Sequence, residues 1–266
     1  MTHEEMVARW LPADGVGVEI GAFKTPIPGI KPIYVDRFAE FGYQKCPGDY
    51  FGHAHALPVH SNALDYVATS HVLEHVANPI AALVEWHRVL RPGGLIYLVV
   101  PDRRFTWDHR RPPTDPEHMW QDYVGRTTQS DGTHIDEFID GVDWSQYNPA
   151  ASPAEAAAER EELRGKYRIA SNGGELNIHF HVFEPGNVHA LVELTAARLH
   201  LDWTIVAEAE RFPDNNPNGI LIIVQVRKAW RNHWAAWRLR RRTRRNRLAV
   251  MRPDARPLHP DAASPT

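Results

Sequence analysis

Residues 15–37 constrain the fold of this chain more than any other stretch. Gly15-Val-Gly-Val-Glu-Ile-Gly21 ends one apolar run at a glycine, and Lys31-Pro-Ile-Tyr-Val-Asp36-Arg37 ends a second at an acid, fifteen residues after that glycine. Short apolar runs bounded by Gly and Pro read as strands covered on both faces, as a parallel sheet requires. Open parallel sheets bind ligands beyond the carboxyl ends of their strands, and an acid ending the second strand can accept hydrogen bonds from both hydroxyls of a ribose. The turn after the first strand lacks the further glycines of a phosphate-binding fingerprint, because Gly21 is followed by Ala22, Phe23, Lys24, Thr25 and Pro26. Backbone cannot close on a pyrophosphate at such a turn, which argues against NAD, FAD and ATP.

Glu19, beside that glycine, suits a nucleoside ligand carrying positive charge, and S-adenosylmethionine with its ammonium and sulfonium is one. Further along, Leu64–Ser70 and Leu95–Val100 read as buried strands, with a helix over 77–90 stopped by Pro92-Gly93-Gly94. A short amphipathic helix over 3–11 precedes the first strand, and residues 38–60 read as loop with one helical turn. The pattern changes between Pro101 and Phe183, where the chain is polar and carries one helical stretch over 154–166. A helix over 185–200 and strands over 203–208 and 219–226 then resume the alternation. The expected boundaries are a core of 10–101 and 183–226, an acceptor-side or lid insertion of 102–182, and a tail of 227–266.

Five ordered blocks carry a family resemblance: Glu19-Ile-Gly-Ala22 with Tyr34-Val-Asp-Arg37, Ala56-Leu-Pro58, Ser70-His-Val-Leu-Glu-His-Val76, and Leu90-Arg-Pro-Gly-Gly94. Together they resemble class I S-adenosylmethionine-dependent methyltransferases. With Pro101-Asp-Arg-Arg-Phe-Thr-Trp-Asp108, they are similar to bacterial polysaccharide and sugar O-methyltransferases, those of methylated mannose polysaccharides among them. The resemblance implies an α/β Rossmann-like fold, a seven-stranded mostly parallel sheet with an inserted acceptor region. It also implies S-adenosylmethionine as cofactor, with Glu19 and Gly21 at its methionine end, Asp36 and Arg37 at the ribose, His53-Ala54 near the adenine, and Ser70 and His71 near the sulfonium. His53 stands where the family often has an acid.

Glu74 and His75, with His181 ahead of Phe183-Glu184, are similar to the magnesium ligands of the small-RNA 2′-O-methyltransferases, with His71 in place of their first acid. This makes Glu74, His75 and His181 candidate metal ligands and Mg²⁺ a candidate ion, although a histidine in that set softens the site. The bland alternative is a strand-end segment that lines the cofactor without a metal. Methyl transfer to a hydroxyl needs a base, and His109, His134, His179 and His181 are the candidates, with His134 and His181 favoured. Asp102, Arg104, Trp107, Asp108, His109 and Trp144 offer the aromatic faces and forked polar groups that hold sugars. The expected acceptor is a saccharide or glycolipid; the rivals are an RNA 2′-O-methyltransferase and a non-catalytic cofactor-binding protein.

Net charge is −3, and it conceals a cluster of arginines and three tryptophans over 227–247. That stretch reads as a helix that packs on the domain or a second subunit, contacts a membrane surface, or binds RNA; nucleic acid is disfavoured by the acidic remainder. Disorder is expected after Pro253. A single cysteine, Cys46, excludes an intrachain disulfide, and the acidic N-terminus lacks a secretory apolar run. These features fit a cytoplasmic location.

Overall fold

A computed structural model describes residues 1–41, 44–172, 174–229 and 246–259. The chain opens with α1 (His3–Trp10), whose N-cap Thr2 and Glu5 form a reciprocal capping box. Strands β1 (Gly17–Ile20) and β2 (Ile33–Asp36) follow. Next come a small hairpin, β3 (Glu40–Phe41) with β4 (Gln44–Lys45), and a short strand β5 (Tyr50–Phe51). After β6 (Leu64–Ser70), α2 (Pro79–Val89) starts on an Asn78 cap with proline at its first position, where the missing N–H costs nothing. Strand β7 (Leu90–Pro101) leads into α3 (Pro116–Gly125), α4 (Ile135–Gly141), α5 (Trp144–Tyr147) and α6 (Pro153–Ala170). The fold closes with α7 (Pro185–Arg198), β8 (Trp203–Phe212) and β9 (Gly219–Val226).

The seven main strands lie in the order β5-β2-β1-β6-β7-β9-β8. The pairs from β5 through β7 are all parallel, and β9 runs antiparallel to both β7 and β8. The order reverses between β1 and β6, which opens a crevice at the strands' carboxyl ends. This is the α/β, mostly parallel seven-stranded sheet of a Rossmann-like methyltransferase fold.

Alternation along the strands supplies two hydrophobic layers. Val67, Ile96, Leu98, Ile222 and Val224 face α2 and α7, whereas Ala68, Leu95, Tyr97, Leu221 and Ile223 face α1. A third cluster belongs to the insertion: Ile135, Phe138, Ile139, Val142 and Trp144 pack on Leu176, Ile178 and Phe180. Helix α6 has no fully buried residue and leans on this cluster through Leu163 and Tyr167.

Two expectations change. The stretch 38–60 is not loop alone, since Tyr50–Phe51 completes the parallel sheet at its edge; a two-residue strand is too short to show a period. Disorder after Pro253 is replaced by packing for the described residues: Met251 bridges Val59, Pro257 bridges Tyr50, and Phe51 N–H donates to the Arg256 carbonyl at 2.8 Å. Most of the basic, tryptophan-bearing stretch expected over 227–247, Trp230, Trp234 and Trp237 included, lies outside the described residues. No described helix is long and apolar enough to cross a membrane.

Candidate active site

The carboxyl ends of β1, β2 and β6 surround a cavity of about 180 Å³ that opens to solvent. Gly21, Asp36, Arg37, His53, Ala54 and His71 all line it, as the sequence predicts. Gly21 has φ +66°, and a Cβ there would fall 2.6 Å from Val72 Cγ2, so only glycine suits the turn. Asp36 accepts from Phe38 N–H at 2.9 Å through Oδ1. Burial raises its pKa, opposed by the Phe38 and Arg37 amides and the Arg37 charge. Ile20, Val72, Val76, Cys46 and Ala54 give the cavity its apolar wall. One acid at the end of β2 beside an apolar slot fits a ribose and a base, so Asp36, Gly21 and the Val72–Ala54 wall would hold an adenosyl group.

Arg37 donates to Glu175 Oε2 at 3.2 Å and to the Leu176 carbonyl at 3.4 Å, with its guanidinium over the Phe38 ring. Glu175 also stands 3.8 Å from His53 Nδ1. The end of the insertion therefore closes over the ribose side, a contact between residues 138 apart that no local pattern announces. Gln129, Asn177 and His55 line the cavity too and went unmarked in the sequence. Gln129 donates to the His75 carbonyl at 2.8 Å and accepts from Ala77 N–H at 2.5 Å, fixing the segment that follows β6.

Two expected cofactor residues do not border the cavity. Glu19 is buried and its Oε1 accepts from Ile27 N–H at 2.8 Å, so it holds the 22–27 turn in place; burial raises its carboxyl to about 7. Ser70 ends β6 just short of the rim, which the next residue, His71, reaches in a left-handed conformation (φ +56°).

Beyond the rim the histidines divide into two groups. Glu74, His75 and His179 bring their ligand-capable atoms within 4.8 Å of one another. His75 Nδ1 lies 3.2 Å from the Ile178 carbonyl, an acceptor only, so this nitrogen carries the proton and Nε2 is left basic. His179 Nδ1 lies 2.5 Å from Asp108 Oδ2 and is assigned the same tautomer, while Arg111 Nη1 holds Asp108 Oδ1 at 2.8 Å. The rings of His75 and His179 meet edge to face at 4.6 Å, and Trp107 lies over His179 at 4.1 Å. Burial lowers the His179 pKa, offset in part by Asp108. Desolvation alone would raise Asp108, but His179 and Arg111 bring it below the ordinary range. Glu74 is fully buried with Oε2 unpartnered, and desolvation raises it to about 8.

His181 does not join Glu74 and His75, contrary to the sequence reading. Its Nε2 lies 3.0 Å from Asp122 Oδ2, in the second group with His118 and His134. Neither His134 nor His181 lines the cavity, and both are buried with lowered pKa values, His134 to about 4. They are not placed to take a proton from an acceptor there. His179, in their stead, stands with Glu74 and His75. One carboxylate and two imidazoles are a nitrogen-rich set that does not suit Mg²⁺, which prefers oxygen, and no step is drawn through that ion.

The expected acceptor residues also divide. Asp102, Asp108 and Trp144 are buried: Asp102 pairs with Arg104, Asp108 orients His179, and Trp144 Nε1 donates to the Ile139 carbonyl at 2.9 Å. They support the acceptor side and do not face it. Arg104 is tied to Asp102 and Glu210. Trp107 and His109 are half-buried, the latter 3.3 Å from Asp143.

Residues 40–98 match the family described as a methyltransferase domain. A stretch of 57 residues is 46% identical to an uncharacterised 37.1 kDa protein in a transposon of Streptomyces fradiae, covering 21% of this chain and 15% of that protein. Another of 45 residues is 47% identical to an uncharacterised methyltransferase of Schizosaccharomyces pombe, covering 17% of this chain and 16% of that one. The matches thus span about one sixth of either relative. Among solved structures, an S-adenosylmethionine-dependent methyltransferase from Methanosarcina mazei superposes with TM-score 0.47 at 16% identity, over 86% of this chain and all of that one. A possible histamine N-methyltransferase from Thermotoga maritima gives 0.45 at 17%, over 85% and 88%. Residues 40–98 thus carry the methyltransferase-domain match, within a sheet that has the strand order of a Rossmann-like methyltransferase fold.

Proposed function

We propose that this chain moves a methyl group from S-adenosylmethionine to a sugar hydroxyl, with His179 as the general base. The observation that carries the reading is the Asp108–His179 pair, one ring behind His75 on the cavity wall: a buried carboxylate fixes Nδ1–H and leaves Nε2 free to accept a proton. Bound S-adenosylmethionine supplies an electrophilic methyl on a sulfonium. His179 Nε2 would take the proton of the acceptor hydroxyl as that oxygen is methylated. Asp108 stabilises the imidazolium that forms, and Arg111 keeps Asp108 ionised and in place. His75 lines the cavity between it and His179, its ring edge to face with that of His179. Trp107 and the partly exposed Tyr147, whose rings meet edge to face at 5.2 Å, offer flat apolar surface of the kind that sugar rings lie against.

The test is a methyl-transfer assay on oligosaccharides with free hydroxyls and, in parallel, an RNA oligonucleotide, with calorimetric titration of S-adenosylhomocysteine alongside. His179→Ala is expected to lower kcat by about 10²–10⁴-fold and to leave the affinity for S-adenosylhomocysteine unchanged. An unchanged kcat would remove His179 as base. Methylation of the RNA ribose with no transfer to saccharide would overturn the sugar assignment.

A further inference from the structure

The second histidine group has a geometry of its own. His118 and Asp122 are four apart on α3 and so share a face. His134 immediately precedes α4, and its side chain makes no cap hydrogen bond to that helix. His181 comes from the extended segment ahead of α7. Three separate pieces of chain bring Nε2 of His118, His134 and His181 and Oδ2 of Asp122 to one point, all four within 4.8 Å of one another.

The separations are those of a coordination shell. His118 Nε2 and His134 Nε2 are 3.0 Å apart, His181 Nε2 and Asp122 Oδ2 3.0 Å, His118 Nε2 and Asp122 Oδ2 3.5 Å, and His134 Nε2 and Asp122 Oδ2 3.8 Å. Four ligands at about 2.0–2.1 Å from a tetrahedral ion sit roughly 3.3 Å from each other, in the middle of this range. Supporting contacts hold the ligands where a metal would want them. Thr133 Oγ1 lies 3.1 Å from His134 Nδ1, Thr127 Oγ1 donates to Asp122 Oδ1 at 3.0 Å, and Asn78 Nδ2 donates to the Asp122 carbonyl at 3.1 Å. Asp122, His134 and His181 are buried, and the half-exposed side chain of His118 leaves one side open for entry.

We infer that His118, Asp122, His134 and His181 form a tetrahedral transition-metal site of the zinc class. Three imidazoles and one carboxylate suit zinc and do not suit magnesium or calcium. With four protein ligands the site is closed, so its ion is structural and does no chemistry on substrate. It staples α3 and α4 of the insertion to the segment that carries His179, two residues before His181. The site is independent of the methyl-transfer reading, and metal binding reports on it without any substrate.

The experiment strips the full chain with a chelator and titrates it with Zn²⁺, then with Co²⁺ followed by visible absorption. The parent is expected to bind a tight equivalent and to give the intense d–d bands of tetrahedral Co²⁺. His118→Ala, at a half-exposed position that tolerates truncation, should weaken that equivalent by at least ~10-fold, the lower end of what even outer-shell changes cost. His75→Ala, in the other histidine group, should retain it. The inference is overturned if the parent binds no Zn²⁺, or if the tight equivalent survives undiminished in His118→Ala. Should that variant fail to fold, an octahedral Co²⁺ spectrum in the parent overturns it equally.

Discussion

The cofactor side and the acceptor side of this molecule are built on opposite plans. On the first, Gly21, Asp36 and His71 are placed by parallel strands that end together, and each side chain's position follows from its distance to a strand terminus. On the second, the polar groups are placed by one another: Arg111 holds Asp108, Asp108 holds His179, and Asp122 gathers three histidines. A sheet positions residues through backbone that is satisfied whatever the side chains are. The insertion positions them through buried polar contacts, where removing one partner strands the other. Damage should therefore stay local on the cofactor side and spread on the acceptor side.

The sharpest way to probe that contrast is pH, because two buried carboxyls straddle the halves. Burial raises Glu74 to about 8 and Glu19 to about 7, against an ordinary value of 4.5. Between those limits the native chain keeps protons that the unfolded chain has released, so the contribution of these two carboxyls is full below about 4.5 and is lost as pH rises through 7 to 8. Thermal unfolding from pH 7 to 8.5, above the window in which the buried histidines with lowered pKa values act in the opposite sense, should show a falling midpoint, a loss on the order of 1 kcal/mol. Glu74→Gln should flatten most of that slope, and a slope unchanged in this variant would mean that Glu74 is ionised in the folded chain.

More local is the expected effect of Asp36→Ala. Losing a charged acceptor for the ribose hydroxyls should cost about 1.5–3 kcal/mol of S-adenosylhomocysteine binding, read by calorimetry, with a far-ultraviolet spectrum like the parent's. If the variant unfolds, the cofactor side is not the robust half. Smallest of all is Glu175→Gln. Its partly exposed pair with Arg37 should be worth less than about 1 kcal/mol, so affinity should shift by only a few-fold. A loss as large as that of Asp36→Ala would show that the insertion, and not the sheet, organises the ribose end.

The same contrast explains how much the amino-acid order revealed. Strand ends carry a local signal, an apolar run stopped by Gly21 or Asp36, and those assignments lie around the cavity. Glu19 carries the same signal, yet its side chain turns to the 22–27 loop, because alternation decides which side of the sheet a strand residue serves. His179 and His181 differ by two positions in an irregular segment, and their partners lie 71 and 59 residues away. No period predicts that one finds Asp108 and the other Asp122. Spacing matched His181 to a metal pattern; packing gave its place to His179. The short strand β5 was hidden for another reason, since two residues paired at a sheet edge leave no alternation to detect.

The strap formed by residues 246–259 bears on how the protein is made. It covers the outer edge of β5 through the Phe51–Arg256 hydrogen bond and the Tyr50–Pro257 bridge, and Leu258 N–H reaches the Asp49 carbonyl at 3.1 Å. Asp49 in turn receives Tyr34 N–H at 2.8 Å, two residues before Asp36. The Asp36 end of the cavity is thus buttressed by residues translated some two hundred codons later. During synthesis the nascent chain therefore carries an unfinished sheet edge until that strap emerges.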